Sequence, residues 1–150
     1  MEYQKQVDFL KNQLEGTIKS LYDRRGDNRK KAFRLQIATT VLSSISTIVL
    51  GLKIEGREEH TRIFALIVSS LITVITAIDA FYNHKRLWLT YADSLNAMYS
   101  LRYELNYRLS APAEITADEL NRFRDRYQLI LNANNEKWMK LRVDDGMEKA

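Results

Sequence analysis

An all-α, integral membrane fold is predicted by three features: two long uncharged stretches, a short polar connector between them, and charged, helically patterned segments on both sides. Residues 35–52 read LQIATTVLSSISTIVLGL and residues 63–78 read IFALIVSSLITVITAI, with no charge and no proline in a chain that is 28% charged. As helices they would be about 27 and 24 Å long, at the short end of what a hydrocarbon core of roughly 30 Å requires. The predicted architecture is a two-span transmembrane helical hairpin with a cytoplasmic helical bundle. That bundle is formed by an N-terminal helix, an extension of the second-span helix and a C-terminal helix. The competing reading is a soluble bundle with two fully buried core helices. The second run holds ten Leu, Ile, Val or Phe residues in sixteen positions, which favours insertion by about 3–6 kcal/mol. A soluble domain of this length calls for apolar stripes, not two nearly continuous apolar blocks.

The boundaries follow from composition. Residues 1–34 form a cytoplasmic helix and basic flank, 35–52 the first span, 53–62 an external connector and 63–83 the second span. Residues 84–110 extend the second-span helix, and 116–142 form the C-terminal helix. The mean hydropathy of −0.36 resembles that of a soluble protein because polar ends dilute the apolar centre. The charges ahead of the first run are incompatible with a cleavable signal peptide. Residues 23–34, DRRGDNRKKAFR, carry six Arg or Lys against two Asp, and Lys85 and Arg86 follow the second run. Since Lys and Arg are enriched on cytoplasmic flanks, both termini are expected in the cytoplasm of a cell whose inner membrane the chain crosses twice.

Val7, Leu10, Leu14, Ile18 and Leu21 make one face of an amphipathic N-terminal helix. Gly26-Asp27-Asn28 offers a break before the first span. Arg24, Arg25, Arg29, Lys30, Lys31 and Arg34 are expected at anionic headgroups, with Asp79, Lys85, Arg86 and Trp88 at the same interface. In the first span the polar side chains, Thr39, Ser43, Ser46 and Thr47 among them, fall within roughly 160° of arc. In the second span Ser69, Thr73 and Thr76 make a narrower stripe. Small and hydroxyl residues let transmembrane helices pack; a face this broad also suits a water-lined pore between associated hairpins, so these seven are the pore-lining candidates.

No helix breaker follows the second span before Pro112, so one helix is expected from Ile63 to about Leu109. Leu87, Tyr91, Leu95, Met98, Leu105 and Leu109 mark its packing face, with Arg102 as an interruption. Ser110 to Ile115 reads as a turn. Thr116-Ala117-Asp118-Glu119 fits a capping box, opening a helix whose Leu120, Phe123, Tyr127, Ile130 and Trp138 recur on one face. Leu14, Leu21, Tyr91, Leu95, Leu105, Phe123 and Tyr127 are the expected packing residues of the bundle, and the charged tail from Val143 is expected to fray.

Catalytic chemistry finds little support. The chain has no cysteine and only two histidines, His60 and His84, expected on opposite sides of the membrane. There is no glycine-rich phosphate loop, no GxSxG and no HExxH. No cofactor, no metal site and no enzymatic activity are expected. Nucleic acid is not an expected partner, since Asp93 and Glu104 interleave the tyrosines that would otherwise suit stacking.

The order of elements and their flanks resemble the SLATT superfamily, two-transmembrane effector modules of prokaryotic conflict systems. The resemblance spans about Leu21 to Ser110 plus a trailing helix. It is carried by Arg24, Arg25, Arg29 and Arg34, by Trp88 and Tyr91 after the second span, and by Leu95, Tyr103-Glu104-Leu105 and Tyr107. It implies a pore-forming or membrane-permeabilising effector of antiphage defence (abortive infection). The resemblance implies a trigger from a nucleotide-sensing or other partner, while assembly into homo-oligomers in the lipid bilayer is expected through the bundle and the hydroxyl faces. A non-conducting anchor that recruits a cytosolic signalling protein is the alternative.

Overall fold

The computed structural model describes residues 2–51 and 58–147. Leu52, the expected end of the first span, and connector residues 53–57 lie outside them. The described residues form four helices: α1 (Glu2–Gly51), α2 (Glu58–Tyr82), α3 (His84–Leu109) and α4 (Ala117–Met147). No strand occurs among them. They divide into two compact units. One holds the chain up to Asp27 and from Arg86 onward, the other Asn28–Lys85.

The first unit is a three-helix core. The early part of α1 contributes Val7, Leu10, Leu14, Ile18 and Leu21, and α3 contributes Leu87, Tyr91, Leu95, Met98, Leu101 and Leu105. From α4, Leu120 is buried, and Phe123, Tyr127, Ile130 and Leu131 pack half-buried against the cluster. Of the seven expected packing residues, Leu14, Leu21, Tyr91, Leu95 and Leu105 lie in this cluster, and Phe123 and Tyr127 pack against it. The α3 face differs from the sequence expectation at one step. Leu101, not Arg102, completes the row, because the covered positions 87, 91, 94, 98, 101 and 105 alternate spacings of four and three. That is the 3.5-residue period of helices wound together. Arg102 lies at the rim, 3.2 Å from Glu15 and over the Tyr99 ring at 4.9 Å.

Polar contacts fix the register of these helices. The Thr17 and Tyr127 hydroxyls are 2.8 Å apart, and buried Ser94 donates to Asn134 Oδ1 at 2.9 Å. Arg126 binds the Glu104 carboxylate with both terminal nitrogens and holds it below the usual carboxylate range. The capping box forms: Glu119 Oε2 accepts from the Thr116 backbone N–H at 2.8 Å, while Thr116 Oγ1 accepts from the Glu119 N–H at 3.3 Å. Arg108 adds a two-pronged contact to the same carboxylate at 2.9 and 2.8 Å, and ties down the turn through the carbonyls of Ala113 and Glu114.

Three expectations are corrected. The chain does not break at Gly26: α1 runs through it. Its covered positions 18, 21, 25, 28, 32 and 35 keep one stripe across the glycine, and a helical glycine costs only about 1 kcal/mol. The helix from Ile63 does not run unbroken to Leu109, because Asn83 adopts a left-handed conformation with φ 45°. Finally, α4 stays helical to Met147, past the expected fraying point at Val143.

Two outcomes test this core. Leu95→Ala, at a wholly buried position, should destabilise the protein by about 2–5 kcal/mol. Leu129→Ala, at an exposed position on α4, should change stability by less than about 0.5 kcal/mol in the same denaturation series in detergent. The second concerns pH. Hydrogen bonds from Arg108, then from Thr116, lower the Glu119 carboxyl from 4.5 to about 2. Its contribution is therefore complete above about pH 4.5 and is lost as pH falls toward 2. Melting temperature followed by circular dichroism should drop across that window in the wild type, and Glu119→Gln should flatten that part of the profile.

Candidate functional site

The unit Asn28–Lys85 pairs the second half of α1 with α2. Covered positions in α1 are 28, 32, 35, 39, 42, 46 and 49; in α2 they are 61, 65, 68, 72, 75 and 79. Both rows alternate steps of three and four. Within this unit each described helix has only the other to cover it, so the rows form one seam, with small residues (Ala32, Ser46, Ala65) that permit close approach.

Outside the seam the surface is apolar. Ile37, Val41, Ile45, Ile48 and Leu50 are exposed on α1, as are Ile63, Phe64, Leu66, Ile67, Leu71, Val74, Ile78 and Phe81 on α2. The buried residues described in this unit are only Ser46, Ala65, Val68 and His84. Two helical stretches, Gln4–Gly51 and Glu59–Leu109, are long and apolar enough to cross a membrane, and only 6% and 11% of their most apolar windows are buried. Core helices of a soluble protein are mostly buried. Contiguous exposed apolar surface of this extent marks an interaction or membrane face.

The hydroxyl residues divide by position. Ser46 is buried and Thr39 half-buried in the seam, whereas Ser43, Thr47, Ser69, Thr73 and Thr76 are exposed. Most of these hydroxyls bond the carbonyl four residues back: Thr39 to Leu35 and Thr47 to Ser43 at 2.9 Å, Thr73 to Ser69 at 3.0 Å, and Thr76 to Ile72 at 2.8 Å. Thr40, Ser44 and Ser70 do the same at 2.9 Å. The polar arc of the first span is thus split, one edge facing its own hairpin and the remainder facing outward.

Among the expected interface residues, Arg24, Arg29, Lys30, Lys31, Arg34, Lys85 and Arg86 are exposed, while Arg25, Asp79 and Trp88 are half-buried. Asp79 occupies a seam position in α2. No ion pair joins it to Lys85 or Arg34 among the described residues.

A polar junction that periodicity alone did not reveal closes this unit. His84 is buried and its Nδ1 lies 2.9 Å from Asn28 Oδ1. The Tyr82 ring stacks on the imidazole, with centroids 5.4 Å apart and planes 6° from parallel. Between them Asn83 ends α2, its N–H donating to the Asp79 carbonyl at 2.8 Å, the bond of a helix stop with a left-handed residue. Without that residue the α2 row would continue at 82, 86 and 89, which are exposed; the covered positions are 84, 87 and 91. Asn83 therefore shifts the covered row by two residues. The signal in the sequence was the Asn-His pair itself, since asparagine tolerates this conformation better than most side chains.

No group of three His, Cys, Asp or Glu side chains suited to a metal ion occurs among the described residues. A family model described as "Protein of unknown function (DUF4231)" matches residues 18–105, a stretch that includes both apolar segments. No curated protein and no solved structure matches the chain.

Asn83→Gly should leave thermal stability nearly unchanged, whereas Asn83→Ala should cost about 1–2 kcal/mol, because a Cβ without a compensating polar group is disfavoured in the left-handed region. Paired melts of the two variants in one detergent check this.

Proposed function

The chain belongs to the DUF4231 family, and from that premise we propose that it is a two-span integral membrane protein acting as a membrane-permeabilising effector of bacterial antiphage defence. The observation that carries the membrane reading is the outward apolar surface of the Asn28–Lys85 hairpin, in which eleven of the exposed large side chains are Ile, Leu or Val. Burying such faces in lipid removes their cost in water. The basic flanks, Arg29 to Arg34 and Lys85, suit the cytoplasmic headgroup layer of the inner membrane, with both termini in the cytoplasm.

The effector role rests on the resemblance to the SLATT superfamily and on the outward hydroxyls of Ser43, Thr47, Ser69, Thr73 and Thr76. When hairpins associate as a homo-oligomer, those hydroxyls line a path that water can wet. A nucleotide-signalling or other sensor partner supplies the trigger. A second reading, a non-conducting anchor for a cytosolic partner, is favoured by the back-bonding of the three threonines in this set. Thr47, Thr73 and Thr76 each find an acceptor within their own helix, so the face is also compatible with lipid or with dry packing.

Alkaline carbonate extraction should leave the protein in the membrane pellet; release into the supernatant would contradict the membrane reading. Induced expression should collapse the membrane potential reported by a voltage-sensitive dye. Ser43→Leu/Thr47→Leu should stay in the membrane fraction and preserve that potential. If the wild type fills the membrane and leaves the potential intact, with and without phage challenge, the anchor reading stands instead.

A further inference from the structure

Cations are placed differently in the two units. In the first, Arg102, Arg108, Arg126 and Lys137 each pair with a carboxylate. In the Asn28–Lys85 unit, Arg29, Lys30 and Arg34 are exposed, and no hydrogen bond or ion pair joins them to a side chain among the described residues. Composition explains the difference. No carboxylate occurs on α1 from Asn28 to Gly51, and Asp79, at the same end of the hairpin, is half-buried in the seam. Lys30 and Arg34 stand four residues apart and repel each other, a cost that a bound anion removes.

The position of these cations on the helix is a second, independent observation. At 100° per residue, Arg29, Lys30, Phe33, Arg34, Ile37 and Val41 fall within roughly 140° of arc. That arc lies nearly opposite the seam positions 28, 32, 35 and 39. Phe33 is 66% exposed, Ile37 47% and Val41 50%. Over about 18 Å of helix the face thus passes from cations to large apolar side chains. A phospholipid has the same order of parts, a charged head and then a hydrocarbon chain. Thr40 and Ser44 share this face, but each bonds the carbonyl four residues back at 2.9 Å and asks nothing of a neighbouring chain.

We infer that this face of α1 binds an anionic phospholipid in preference to a zwitterionic one. Arg29, Lys30 and Arg34 engage the headgroup phosphate, while Phe33, Ile37 and Val41 lie along an acyl chain. The inference rests on the membrane reading and narrows it, from headgroups in general to one charge class. In a zwitterionic headgroup the ammonium offsets the phosphate and three cations gain little. A net negative headgroup attracts each of them, by about fivefold in affinity per cation near the surface.

The test uses the full chain in two steps. Flotation with phosphatidylcholine vesicles establishes insertion. Native mass spectrometry of the detergent-solubilised chain then follows binding of phosphatidylglycerol, phosphatidylcholine or glycerol 3-phosphate, the last a headgroup without acyl chains. The first phosphatidylglycerol should bind at least about tenfold more tightly than either alternative. Arg29→Gln/Lys30→Gln/Arg34→Gln should bring it to within about threefold of phosphatidylcholine. Lys5→Gln/Lys19→Gln/Arg122→Gln neutralises three exposed cations of the first unit and should keep the preference. A chain that floats but shows no preference overturns this inference and leaves the membrane reading standing. Equal loss in both variants overturns it too, since net charge would then suffice, as does a preference that the α1 variant retains. Glycerol 3-phosphate matching phosphatidylglycerol would make the face a free-phosphate site and also overturn it. Failure to float with vesicles of either lipid removes the membrane reading and this inference together.

Discussion

A covered stripe of 3.5-residue period is the constraint on which the whole structure depends. Along α1 it runs through positions 7, 11, 14, 18, 21, 25, 28, 32, 35, 39, 42, 46 and 49 without a slip. An isolated straight helix drifts out of such a register, so the repeat is kept only by helices that wind around a neighbour. The stripe changes composition as it goes. In the first unit its buried positions are Val7, Leu14, Ile18 and Leu21, with Lys11 and Arg25 half-buried, and the faces beside it are mostly charged and polar. In the second, Asn28, Ala32, Thr39 and Ser46 alternate with Leu35, Leu42 and Val49, and the faces beside it expose Ile37, Val41, Ile45, Ile48 and Leu50 together with hydroxyls. One backbone geometry therefore serves two different distributions of polarity.

The capping box and the turn after α3 were legible because they depend on residues a few positions apart: Thr116 and Glu119 find each other whatever the remaining fold does. The packing faces of the first unit were legible for the same reason, since Leu14, Leu21, Tyr91, Leu95 and Leu105 repeat at helical spacing. Arg102 shows the limit. A period of 3.6 and one of 3.5 agree over two turns and diverge over four, so the stripe passed from Met98 to Leu101, and the arginine moved to the rim beside Glu15. Gly26 and Asn83 mislead in opposite directions. The glycine looks like a break and is helical, because the flanking stripe holds it; the asparagine looks helical and is the break, because both neighbouring helices bury better after a shift of two positions.

The candidate site was half legible. The hydroxyl-rich composition of the two spans can be read directly, but composition does not say which hydroxyls face a partner within the same hairpin. Ser46 and Ser43 are chemically identical and three residues apart, yet one is buried in the seam and the other is exposed. The difference lies in which face of α1 the hairpin covers: Ser46 is on the covered row and Ser43 is off it. Likewise, His84 and Asn28 are 56 residues apart and share no pattern that a linear reading could join.

The back-bonded hydroxyls have a mechanical side. The carbonyls of Leu35, Gln36, Thr40 and Ser43 each receive a side-chain hydroxyl in addition to the amide that closes the helical turn. A shared acceptor holds each donor less firmly, and serine or threonine bonding four residues back bends helices. Since these acceptors cluster along one flank of α1, its second half is softer on that flank than on the opposite one. Such a rod yields in a preferred direction, and its curvature can change without any helical residue leaving the helical region.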